Sequence, residues 1–251
     1  MLLRIHTLSV VLFIPFAAMA NPSSAPSLGQ ILARHIEADG GMANIKAIRS
    51  LMSIGHIEIG PTVLDLTIEN TRGAFRSDTS IQGMIKTEIF DGVHGWVVDP
   101  FTAGPAAVPQ PMSSDQLRQA ALQMDFDGPL VDYRSKGHKV TLAGLEQVNG
   151  SDAYVLKIKL KGGDELTSYI DAKTFLEVKA ANKAVSQGKT VEVETMIGDY
   201  RSVHGVMLPF SLEIRPKGQP QGMKILLDKV EANTAMDPAR FRMPVMTPHA
   251  P

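Results

Sequence analysis

Two stretches of the chain, 51–99 and 154–230, alternate apolar and polar residues with a period of two, the pattern of strands that bury one face. In the first, Ile57 and Ile59 alternate with His56 and Glu58, and Leu64, Leu66 and Ile68 with Asp65, Thr67 and Glu69. Further strands are expected near 73–79, 83–90 and 95–98, with Asp91-Gly92 supplying a turn that accepts positive φ. In the second, Tyr154, Leu156, Ile158 and Leu160 alternate with Val155, Lys157 and Lys159. Strands near 164–170, 175–182 and 190–200 follow, separated by Asp171-Ala172-Lys173-Thr174 and Ser186-Gln187-Gly188. Phe210, Leu212 and Ile214 alternate with Ser211, Glu213 and Arg215, and 224–230 closes the set.

Three segments break that period. Leu28, Ile31, Leu32, His35 and Ile36 fall at helical spacing and stop at Gly40-Gly41, and a short second helix follows through Met42, Ile45 and Ile48. Residues 99–112 carry Pro100, Gly104, Pro105, Pro109 and Pro111, which predicts a long loop. A helix over 113–125, capped by Ser113 or Ser114, puts Leu117, Ala120, Ala121 and Met124 on one face. The fold class expected is α+β, mainly β: a strongly curved antiparallel sheet of about ten strands, an incomplete barrel whose twist manages its edges.

The ends of the chain read differently. Arg4 and His6 precede an apolar run from Leu8 to Met19, and Ala18-Met19-Ala20 has the small-x-small form of a cleavage site. Residues 1–20 are read as a secretory signal, 21–27 as a flexible tether, 28–244 as one domain and 245–251 as a tail. With no Cys among 251 residues, an N-terminal cysteine lipid anchor, disulfides and thiol chemistry are excluded. The expected location is periplasmic and unanchored. Net charge is −1, which argues against nucleic acid as a partner. Met occurs 13 times, a residue that adapts to irregular apolar space.

Enzyme signatures are missing: there is no His-Glu-x-x-His, no Gly-x-Ser-x-Gly and no Gly-rich phosphate loop. His56, Glu58 and His94 would have to converge from different strands to hold a metal. They read as solvated strand-face residues, His204 as an exposed turn residue, and Asp125 and Asp127 as helix-end and turn residues. Lys157, Lys159, Lys161 and Lys179 read as the solvated face of neighbouring strands. The chain is expected not to be an enzyme and to need neither cofactor nor metal.

Several pieces resemble a known family. These are Phe90-Asp91-Gly92-Val93-His94-Gly95-Trp96, the hairpin Tyr169 to Leu176, the link Tyr200-x-x-x-x-Gly205-x-x-Leu208-Pro209-Phe210, the Gly40-Gly41 segment ending at Ser50, and Asn233 to Phe241. In this order and spacing they resemble the LolA/LolB-like lipoprotein-carrier superfamily over nearly the whole mature chain. The resemblance implies a curved sheet whose hydrophobic hollow holds acyl chains, with 100–136 as a lid over its open side. It implies lipid or lipidated-protein cargo, an inner-membrane exporter, an outer-membrane acceptor and a monomeric carrier. The residues expected to line the hollow or its lid are Leu66, Met84, Phe90, Trp96, Leu117, Ala121, Met124 and Phe210. The alternative is an envelope-stress sensor or protein-binding module with the same domain, and the third reading is a periplasmic hydrolase on an unrelated fold. The Pro-rich loop and the C-terminal Pro-Met-Thr-Pro-His-Ala-Pro depart from the dedicated lipoprotein chaperone, so that particular cargo is not carried over.

Overall fold

A computed structural model of the chain describes residues 25–186 and 189–244. The expected signal 1–20, most of the tether and the 245–251 tail lie outside them. In chain order the elements are α1 (Leu28–Ala38), α2 (Met42–Ala47), β1 (Ser50–Ile59), β2 (Thr62–Thr71), β3 (Phe75–Ile81), β4 (Met84–Phe90) and β5 (Gly95–Val98). Then come α3 (Pro100–Ala103), β6 (Gln110–Pro111), α4 (Ser114–Met124), β7 (Lys139–Val148), β8 (Ser151–Lys159) and β9 (Glu165–Asp171). The chain finishes with β10 (Glu177–Ser186), β11 (Lys189–Val203), β12 (Val206–Pro216), β13 (Met223–Ala232) and a 3₁₀ turn, Pro238–Phe241.

All thirteen strands form one antiparallel sheet, in the order β6-β5-β4-β3-β2-β1-β13-β12-β11-β10-β9-β8-β7. It is not closed into a barrel, since β6 and β7 end it on opposite sides. The N-terminal wing, β1–β6, and the C-terminal wing, β7–β13, meet where β1 pairs with β13. Because β6 and β7 are consecutive in sequence, the connection between them must cross the open side of the sheet. That connection contains α4.

Local chemistry explains the boundaries. α1 and α4 both start with a capping box, Ser27 with Gln30 and Ser113 with Gln116, each satisfying two otherwise orphaned backbone N–H groups. Asp91 accepts from the N–H groups of Val93 and His94, and Asp171 from those of Lys173 and Thr174, fixing two tight turns. Register shifts at Ile54/Gly55 and Leu142/Gly144 bend β1 and β7.

Two sequence expectations are corrected. The pattern assigns no strand to 139–148, yet β7 forms there; its alternation is hidden by the bulge at Gly144 and by Leu142 and Leu145, which are exposed on this edge strand. The loop expected at 99–112 contains α3, capped by the Asp99 carboxylate and begun by Pro100, and the two-residue β6.

α1, α2 and α4 pack on the same face. Ile31 and Leu32 of α1 join Leu156, Ile158 and Ile170 of the C-terminal wing. Ile45 of α2 joins Leu51, Val131 and Val206. α4 seats Ala120, with Leu117, Ala121 and Met124, on Phe75, Phe90 and Met112 of the N-terminal wing. That face is concave. Six strands separate β4 from β10 in the sheet, yet Glu88 of one and Asn182 of the other line a single cavity of ≈ 450 Å³ beside α4.

Candidate functional site

Strand register identifies what the helices leave uncovered on the concave face. Leu64 lies opposite Ile57, Ile57 opposite Ile225, Ile225 opposite Leu212, and Leu212 opposite Ile197. Directly paired residues share a face, so these five aliphatic side chains form an unbroken row across β2, β1, β13, β12 and β11, about 19 Å at ~4.8 Å per strand. Leu51, packed under α2, has the same parity along β1 as Ile57, which places the row on the helix side. All five are half-buried, and none belongs to the cores that the helices close. A second row runs beside it, from the 49% exposed Ile59 through Met223 and Ile214 to Thr195. A contiguous half-exposed aliphatic surface inside a concave sheet forms an apolar trough, the kind of surface at which ligands and partners bind in proteins generally.

The expected lining residues divide among several places. Leu66 and Met84 lie on the concave face, Leu66 buried and Met84 half-buried at the tip of β4. Phe90, Leu117, Ala121 and Met124 come together under α4, with the helix pressed so close that a Cβ added at Gly95 would sit 2.9 Å from a Leu117 methyl. The apolar face of α4 is thus engaged by the sheet, and apart from Ala120 the residues it offers to the ≈ 450 Å³ cavity are polar: Asp115, Gln116, Arg118, Gln119 and Gln123. Trp96 is on the other side. It follows Gly95, which points at α4, and it pairs with Ile89, so alternation turns its indole to the outer face beside His94, ring centroids 6.0 Å apart. Phe210 is buried with the Arg201 guanidinium 4.4 Å from its ring centroid.

α4 is tied to both wings. Asn70 Nδ2 of β2 donates to the Gln123 carbonyl at 2.8 Å, Arg118 Nε lies 3.8 Å from Asp164 Oδ2 in the β8–β9 turn, and Leu122 packs on the core under α1. The segment after it, 125–138, is anchored by charge. Asp127 accepts two hydrogen bonds from Arg72 and meets Lys46 at 2.7 Å; burial acts to raise its carboxyl, but Arg72 and Lys46 hold it below the usual range. Arg72 also donates to the carbonyls of Ile45 and Ile48 and covers the Phe126 ring. Lys136 binds Asp125 and the Gly128 carbonyl.

Beneath this crossing segment lies a cavity of ≈ 170 Å³ lined by His35, Asp39, Glu177 and Tyr200 among Phe126, Leu130 and Leu208. His35 is held by the Phe175 carbonyl at 2.9 Å and has Nε2 3.4 Å from Asp39 Oδ2. Tyr200 donates its hydroxyl to the Glu177 carbonyl at 2.7 Å. Burial pushes the Asp39 carboxyl up to about 7. Burial also raises Glu177, with Ser168 and His35 pulling it back and Asp39 adding to the rise; Tyr200 is raised by burial and by both carboxylates. Asp39 is thus the group in this pocket whose titration falls near neutral pH. Sequence patterns missed it because its groups come from α1, β10 and β11; the one legible signal is His35 on the apolar stripe of α1.

Among the described residues no group of three His, Asp or Glu is arranged to hold a metal ion, and no helix is long and apolar enough to cross a membrane. His56 pairs loosely with Glu58 and Asp228 at 3.7 and 3.6 Å, His94 is 71% exposed at its side chain, and His204 is exposed in the β11–β12 turn.

No family model matches the sequence, and no curated protein matches it. Solved structures do. A LolA superfamily protein from Nitrosomonas europaea superposes with a TM-score of 0.57 at 11% identity, over 84% of this chain and 96% of that one. An outer membrane lipoprotein-sorting protein domain from Vibrio parahaemolyticus gives 0.58 at 10%, over 84% and 94%. A DUF1329 family protein from Desulfovibrio piger gives 0.52 at 13%, over 87% and 98%. The chain therefore has the LolA-like fold, in agreement with the resemblance read from its sequence.

Proposed function

We propose that this chain is a periplasmic carrier that holds acyl chains of a lipid or lipidated protein in the trough and passes them to an acceptor at the outer membrane. The observation that supports this reading most is the transverse row Leu64–Ile57–Ile225–Leu212–Ile197, apolar, half-exposed and enclosed by two wings. Each methylene that leaves water for such a surface contributes about 0.8 kcal/mol, so a long chain is held by area without directional contacts. The work is sequestration and needs no reacting group. α4 and the crossing segment span the trough's open side and set access to it. Residues 1–20 direct export, are cleaved after Ala20, and leave a monomer starting at Asn21 that receives cargo at the inner membrane. The solved structures of this fold include a lipoprotein-sorting domain, which agrees with this assignment.

Native mass spectrometry of protein purified from its own periplasm tests it. The expected spectrum shows the mass of the chain from Asn21 plus an acyl-bearing adduct. A double Leu212→Asp, Ile225→Asp variant keeps its sheet and loses that adduct. A bare polypeptide mass, together with no uptake of a fluorescent naphthylamine probe, would remove the carrier reading.

A further inference from the structure

The face of the C-terminal wing turned away from α1 carries a second concavity, ≈ 560 Å³, to which strands β7 to β11 all contribute. Its charged residues are Lys139, Lys157, Lys159, Lys183, Glu165 and Glu192. Alternation fixes the side: Leu156 and Ile158 point into the core under α1, so Lys157 and Lys159 point the opposite way. Glu192 is engaged by Lys217 at 2.9 Å. Among the described residues none of the four lysines has a carboxylate partner within salt-bridge distance, and Lys157 binds the Thr167 hydroxyl instead. Four ammonium groups thus face one unpaired carboxylate, Glu165.

Register adds a second observation. Lys139 stands directly opposite Lys159 in the β7–β8 ladder, with Lys157 two residues away on the same face. Like charges directly opposite each other destabilise a sheet; Glu165 stands across from Lys159 on β9, and on the free edge Lys139 has no carboxylate opposite it. Thirdly, β7 is a free edge of ten residues, because the strand order ends there and leaves its outward backbone groups without a strand partner.

We propose that this groove is a docking surface for an acidic, extended polypeptide segment of a partner protein, which adds to β7 as an extra strand and sets alternate carboxylates against Lys139, Lys157 and Lys159. Strand addition supplies backbone hydrogen bonds, and the alternating side chains supply selectivity. A bilayer meets a flat or convex surface, whereas this one is concave and lies beside an open backbone edge. A second copy pairing through β7 would bring its own basic groove, Lys139 included, to the same edge. The surface faces away from the trough, so the inference stands whatever the trough holds.

The test uses the full chain and a fluorescein-labelled decapeptide of alternating Glu and Val, with a Ser-Val decapeptide as the uncharged control. Fluorescence anisotropy should show binding of the acidic peptide at low salt, about tenfold weaker at physiological salt, and no binding of the control. Lys139→Glu turns the repulsive pair into an attractive one at the free edge, so its Tm should be unchanged or higher while peptide affinity falls about tenfold. Lys139→Gln, which only removes a charge, serves as the second variant and should weaken binding in the same direction. Absence of binding at low salt, or wild-type affinity in both variants, overturns the proposal. Co-sedimentation with phosphatidylglycerol vesicles, lost in Lys139→Glu and unaccompanied by peptide binding, overturns it in favour of a membrane surface.

Discussion

The guanidinium of Arg72 and the carboxylate of Asp127 meet twice, Nη1 to Oδ2 at 2.9 Å and Nη2 to Oδ1 at 3.1 Å, joining the β2–β3 turn to the segment that crosses the open side of the sheet. Asp127 is 3% exposed at its side chain and Arg72 39%, so the carboxylate cannot turn to water when the arginine is lost. Arg72→Ala also strips a donor from the carbonyls of Ile45 and Ile48. The expected cost is about 2–3 kcal/mol, below that of a fully buried pair because the guanidinium is partly solvated. Arg72→Lys should recover less than half of it, since an ammonium cannot reproduce the fork. Urea melts measure the loss, and amide exchange should locate it in 125–138. A loss under about 0.5 kcal/mol would show that Lys46 alone holds the segment.

Asp39 makes stability depend on pH. Its folded-state carboxyl is pushed up to about 7 from the ordinary aspartate value of 3.8, because burial disfavours the anion. The folded state therefore binds this proton more tightly than the unfolded chain does. The group's favourable contribution is complete below about pH 4 and is lost progressively as pH rises to about 7. Groups facing it are His35 on its own helix, Glu177 on β10, Tyr200 on β11 and Asp127 on the crossing segment. Asp39→Asn should match wild type near pH 4 and exceed it by roughly 2–4 kcal/mol above pH 7. The difference between the two proteins, measured by denaturant unfolding at each pH, isolates this carboxyl from the other titrating groups. A difference that stays constant from pH 4 to 8 would mean that Asp39 is already ionised in the folded protein.

The sheet was legible in the sequence because most strands bury one face, so period two survives in rows such as Leu64–Leu66–Ile68. The edge strand β7 was not, because both its faces meet solvent and Gly144 breaks its phase. The identity of α4 as an amphipathic helix was equally plain, down to its capping serine. What periodicity cannot provide is which elements meet. Arg72 and Asp127 stand 55 residues apart, and Asp39 and Glu177 approach only when α1 lies on β10. Trp96 illustrates the same limit from the other side: its hairpin was recognisable, but the face its indole takes depends on the neighbour Gly95 being used by Leu117.

α4 provides a direct comparison between access and core. Leu117 is half-buried on Gly95 and Met112, whereas Leu156 is 0% exposed in the core under α1. Leu117→Asp sets a carboxylate against apolar surface, yet the helix can lift and let it reach water; the expected loss is about 2–3 kcal/mol, with faster release of a bound lipophilic probe. Leu156→Asp has no such escape and should abolish folding. Stopped-flow probe release and thermal melts of the two variants distinguish them. Equal destabilisation would make α4 an inseparable part of the core.

The last prediction uses the only Trp of the chain. Trp96 lies on the outer face, half-buried between β4 and β6, where it pairs with Ile89 and Pro111. Leu212 lies on the concave face, in the middle of the aliphatic row. A fatty acid entering the trough would remove water from Leu212 and leave the surroundings of Trp96 as they were. Wild-type emission should therefore stay within about 1 nm on saturation, while Trp96→Phe, Leu212→Trp protein should shift to the blue, as an indole does on losing its water. Binding itself is followed independently by displacement of a naphthylamine probe. A wild-type shift with none at position 212 would place the cargo on the outer face and refute the trough as its site.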